Sequence, residues 1–93
     1  MHPIYKILSF EIVGPYTLSL NFDDGTSRIV NFKNILKGRL FGKLNDINFF
    51  NQVNLDKEIN TIVWPNGADF DPATLHDWQL YEKEFKRMVN KWN

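Results

Sequence analysis

The run Thr61-Ile62-Val63-Trp64-Pro65-Asn66-Gly67-Ala68-Asp69-Phe70-Asp71-Pro72 constrains the fold of this chain more than any other stretch. An apolar, strand-like segment meets a Trp-Pro corner, and proline closes the strand because it has no N–H for a ladder. Asn66-Gly67 supplies a turn. Asp71-Pro72 opens a helix, with a capping carboxylate ahead of proline at the first helical position. Strand, corner, turn and helix in such close succession require a mixed α+β domain. None of these parts is a nucleophile, a general base or a metal cage.

Upstream, Ile4 to Val13 reads as a strand with Ile4, Leu8, Phe10 and Ile12 on one parity. Tyr16 to Phe22 alternates more cleanly, Leu18, Leu20 and Phe22 against Thr17, Ser19 and Asn21. Asp23-Asp24-Gly25-Thr26 turns the chain, and Ser27 to Phe32 returns it, which makes a three-stranded antiparallel meander. Lys33 to Lys37 forms a helical turn ended by Gly38, and Leu40 to Leu44 a loop that plugs the core. Asp46 caps a short helix through Ile47, Phe49 and Phe50. Val53 to Leu55 and Ile59 to Trp64, joined at Asp56-Lys57-Glu58, make a two-stranded hairpin. Beyond Pro72, Trp78, Tyr81, Phe85, Met88 and Trp92 recur at spacings of 3, 4, 3 and 4, which predicts a long amphipathic helix over about 72–91. The expected architecture is α+β: a small antiparallel sheet (meander plus hairpin), short helical turns and a long C-terminal helix. It forms a single domain over 1–93.

Composition narrows the chemistry. The 43% of apolar residues, with 15% aromatic, fill one core at this length without staples. The absence of cysteine excludes disulfides, thiolate zinc, iron–sulfur sites and a cysteine nucleophile. Met1-His2-Pro3-Ile4-Tyr5-Lys6 lacks the basic start and apolar core of a signal peptide, and no run nears the ~18 apolar residues of a membrane helix. The expectation is a soluble, cytoplasmic protein. No nucleophile elbow, P-loop or dinucleotide fingerprint occurs. Asp69 and Asp71 with His76 or Asp77 are too few ligands for a calcium site. His76 is expected at the surface of its helix. No catalytic residue, metal or cofactor is implied.

The strand Tyr16-Thr17-Leu18-Ser19-Leu20-Asn21-Phe22 leads into Asp24-Gly25 and Arg28. Leu40-Phe41-Gly42-Lys43-Leu44-Asn45-Asp46 with Phe49 and Phe50 comes next, and then Ile62 to Pro72 with Leu75. In this order these blocks resemble the bacterial domain-of-unknown-function family 2442, over roughly residues 5 to 75. The resemblance implies a small intracellular module with no established activity. Its members are often encoded beside another short protein in a toxin–antitoxin-like arrangement.

Two surfaces emerge as candidates. The first is a protein-binding ridge of Trp64, Asn66, Asp69 and Asp71, joined by Met88 and Trp92 at the helix end, where a homodimer contact could also form. Each ridge residue except Asp69 also has an ordinary structural role: core edge, turn or cap. The second is the basic run Arg28, Lys33, Lys37, Arg39 and Lys43, with no acid between Ser27 and Asn45, as a nucleic-acid surface. Zero net charge and a pI near 6.7 weigh against that. The sequence therefore favours a non-enzymatic protein–protein module, antitoxin-like in type, over a nucleic-acid-associated regulator.

Overall fold

Leucines and aromatics alternating with small polar residues along Tyr16–Phe22 need one buried face, and the fold is built around that strand. In the structure, a computed structural model that describes residues 4–80, 82 and 87, β1 (Ile7–Gly14), β2 (Thr17–Phe22) and β3 (Ser27–Asn31) form an antiparallel sheet of order β1-β2-β3. Leu18, Leu20 and Phe22 are buried on one face, with Val30 opposite Leu18. The other face is polar apart from exposed Ile29, opposite Ser19: Asn21 bonds Ser9 and Ser27 across the three strands, at 3.0 and 2.7 Å.

β1 departs from the expected strand. It begins at Ile7 rather than Ile4, and register shifts lie between Ile7 and Ser9 and between Ile12 and Gly14. A bulge residue switches the parity of the residues after it. Ile7 is therefore buried, whereas Leu8 is 60% and Val13 48% exposed. Tyr16, in the turn to β2, holds a positive φ of 56°. A bulky side chain rarely adopts that conformation. Its hydroxyl donates to the Asn45 carbonyl and its ring meets Phe50 edge-on, which ties the strained turn to the core.

After β3 the chain makes a 3-10 turn (Lys33–Ile35), then α1 (Gly38–Phe41), a second 3-10 turn (Gly42–Asn45) and α2 (Ile47–Phe50). The Leu40–Leu44 plug is thus helical, not a loop. Gly38, at φ 84°, swings the chain out of one turn and into the next. Asp46 caps α2 through Asn48 N–H at 3.0 Å, as its position before the apolar run leads one to expect. β4 (Asn54–Asp56) and β5 (Thr61–Val63) form the separate hairpin, and Pro65 lies just beyond it.

The long C-terminal helix is the expectation that fails. α3 runs only from Pro72 to His76, and it is the longest α-helix among the described residues. A tertiary contact marks the break. In a continuous helix the His76 carbonyl would accept the Leu80 N–H. Here it accepts Arg28 Nε at 2.9 Å, Asp77 takes up φ −103°, ψ 34°, and Leu80 N–H bonds the Asp77 carbonyl instead. The 3.6-residue stripe starts at Trp78, beyond this break, where residues 78–80 are helical again, so Pro72–His76 does not continue into it as one helix. Met88 and Trp92 lie outside the described residues. No described helix is long and apolar enough to cross a membrane.

One apolar core joins both sheets to α3. Phe32 is fully buried at its centre, with ring centroids 5.2 to 6.0 Å from those of Phe50, Trp64, Phe70 and Trp78.

Candidate functional site

The corner 64–71 is a framework element. Trp64 is 2% exposed, its indole N–H donating to the buried Phe50 carbonyl at 2.8 Å. It packs on Phe50 and Phe70, so it anchors the core and is not presented to a partner. The reason is geometric: Pro65 and the turn fold the chain back so that Trp64 N–H reaches the Ala68 carbonyl at 2.9 Å and Gly67 N–H the Trp64 carbonyl at 3.0 Å. Gly67 supplies the required φ of 88°. Asn66 accepts the Ala68 N–H through its side chain, and Asp71 caps α3 through Ala73 N–H. Asp69 is exposed and bridges Val63 through its backbone. Of the four ridge residues, Asn66, Asp69 and Asp71 reach the surface, and two of these three hold the backbone.

The basic run is divided. Arg28 is spent on the His76 carbonyl and is half-buried. Lys43 lies 5.1 Å from the centroid of the Phe49 ring. Lys33 and Arg39 are exposed, and Lys37 is partly covered.

The most closely organised polar cluster is one that periodicity does not reveal. His76 is 8% exposed, not on the helix surface as expected. Its Nε2 lies 2.8 Å from Asp24 Oδ2, in the β2–β3 turn, and its Nδ1 lies 2.9 Å from Asp77 Oδ1. The Tyr5 ring stacks flat on the imidazole, centroids 3.7 Å apart, and Phe22 meets it edge-on at 4.9 Å. Burial opposes a charge on His76, but the hydrogen bonds to Asp77 and Asp24 outweigh it and hold the imidazole pKa above its ordinary value. Asp24 is held below the usual carboxylate range, first by the Thr26 N–H and also by His76. Burial, followed by the charges of Asp77 and Asp24, pushes the Tyr5 hydroxyl up. The two carboxylates flank the ring on opposite nitrogens. Among the described residues no three His, Asp or Glu side chains are arranged to hold a metal ion.

A family model described as "Protein of unknown function (DUF2442)" matches residues 7–81. The chain belongs to the DUF2442 family. No curated protein and no solved structure matches it. Within this DUF2442 domain the matched range begins with β1, takes in every named strand and helix, and includes Asp24, Arg28, His76 and Asp77. Tyr5 lies just before it.

The other surface that stands out in the DUF2442 domain is the free side of β1. Among the described residues β1 is an edge strand, held on its outer side at Ile7, whose N–H donates to the Asn60 carbonyl at 2.9 Å. Leu8, Ile12 and Val13 are exposed along it, as is Ile4 ahead of it, and Glu11 is its one charged residue. The bulges that place Leu8 and Val13 outside leave no mark in the alternation pattern. A polarity pattern alone could not have found them.

Proposed function

We propose that this protein is a non-enzymatic interaction module that takes up an extended segment of a partner protein along the free edge of β1. One observation carries the reading: an eight-residue edge strand bearing exposed Leu8, Ile12 and Val13 and a single charge. An edge strand offers unpaired N–H and C=O groups to any extended chain, and folded proteins usually blunt such edges with charge or proline. Main-chain pairing supplies affinity in strand addition, and alternate side chains supply specificity. An antitoxin-like role beside a small neighbouring protein is the finer form of this reading. It draws its support from the family resemblance, not from the geometry. The nucleic-acid alternative is weakened by the engagement of Arg28 with His76.

The test pairs capture with a structural readout. A protein captured from lysate of the source organism is purified and added back, and amide hydrogen exchange of β1 is monitored. Binding by strand addition protects β1 amides and is lost in the Leu8→Lys/Val13→Lys variant, whose thermal melt stays near wild type. Binding that leaves β1 exchange unchanged and tolerates both lysines overturns the reading.

A further inference from the structure

His76 is held in a way that only one charge state satisfies. An ionised carboxylate accepts hydrogen bonds and donates none, and each ring nitrogen of His76 faces its own carboxylate. Both nitrogens must therefore carry hydrogen. A neutral imidazole has one N–H, so on losing a proton the ring would turn a lone pair toward either Asp24 or Asp77. An attractive contact would become a repulsive one without any atom moving.

The groups around the ring come from four parts of the chain. Asp24 projects from the β2–β3 turn and Asp77 from the end of α3. Tyr5 covers one ring face from the segment ahead of β1, and Phe22 of β2 meets the edge. Arg28 of β3 holds the His76 backbone carbonyl rather than either carboxylate. Neighbouring Asp23 is directed elsewhere, accepting the Lys6 N–H at 3.1 Å. No second cation competes with the imidazolium for Asp24 or Asp77 among the described ion pairs.

We propose that His76 is a pH-sensitive latch: doubly protonated, it fastens the β2–β3 turn and the Tyr5 segment to the end of α3, and losing one proton frees that end of the domain. The direction of its titration agrees, since the folded protein holds the His76 proton more tightly than an ordinary histidine. The stabilisation is thus fully present below about pH 6.5 and is lost as pH rises through the folded value. Asp24, held low, sets the acid limit. Its share is present above about pH 3.8 and lost on further acidification. The latch does not depend on whether β1 binds a partner.

The experiment is a ring-nitrogen NMR titration of the whole chain from pH 5 to 9, in a His2→Gln background that leaves His76 as the single histidine. Both ring nitrogens should remain protonated past pH 6.5. As they titrate, the protection of amides in the 23–26 turn and around Tyr5, taken relative to the intrinsic exchange rate at each pH, should fall several-fold. In parallel, the urea midpoint of the protein should fall across the same interval while that of His76→Gln stays level. If His76→Gln does not fold, Asp24→Asn replaces it, and the His76 titration should move to lower pH. A ring that titrates at or below the free value, or amide protection indifferent to the titration, overturns the latch.

Discussion

α3 is held at its two sides by different physics. On one side Leu75, with Trp78 just beyond it, joins Phe32, Phe50, Trp64 and Phe70 in a dry aromatic cluster. On the other, His76 joins two carboxylates that are 40% and 35% exposed at the side chain. The aromatic side gains by area removed from water and by ring contacts, neither of which responds to pH. The clasp gains by charge that solvent partly screens, and it holds only in one protonation state. One short helix therefore has a permanent attachment and a conditional one. That separates the strength of a contact from its responsiveness.

The contrast can be broken or sharpened by substitution. The largest effect should come from Phe32→Ala, which empties the centre of the aromatic cluster. A loss of about 3–5 kcal/mol in urea unfolding is expected, equal at pH 6 and pH 9. A loss that varied strongly with pH would show that the two attachments are not independent. Trp64→Phe keeps a ring in place but leaves part of the indole volume empty and removes one of two donors to the Phe50 carbonyl, which retains the Val53 N–H at 3.1 Å. It should cost about 1–3 kcal/mol, again without pH dependence. Asp71→Ala removes the α3 cap and should cost about 1 kcal/mol by thermal or chemical melting. At pH 6, His76→Gln should cost less than Trp64→Phe because its partners are half in water. The difference from wild type should shrink toward pH 9, since only the wild type loses a proton contact on the way. Equal differences at the two pH values would mean that His76 acts through packing alone. Smallest of all, Leu8→Lys should change stability by no more than about 0.5 kcal/mol, while abolishing any strand-edge binding.

Legibility in the sequence tracked the range of the interaction that mattered. Asp46 and Asp71 were readable as caps because each bonds an N–H two residues on. The β2–β3 hairpin was readable because alternation and the Asp-Gly turn agree. Trp64 shows the limit: a tryptophan beside a proline and a turn fits an exposed anchor or a core residue equally well. Its burial was decided by the Phe50 carbonyl and the rings around it. The candidate surface moved for the same reason, from a corner that packs inward to an edge strand exposed by two bulges.

By itself the sequence determined the α+β class, the meander and hairpin, the local caps and turns and membership of the DUF2442 family. All of these are written in neighbours a few residues apart. The tertiary structure decided where the last helix stops and what charge His76 must carry. Arg28 lies 48 positions from the carbonyl it diverts, and Asp24 lies 52 positions from the ring it holds. A 3.6-residue period records which side chains share a face, but it does not record which distant donor will claim a carbonyl and end the helix.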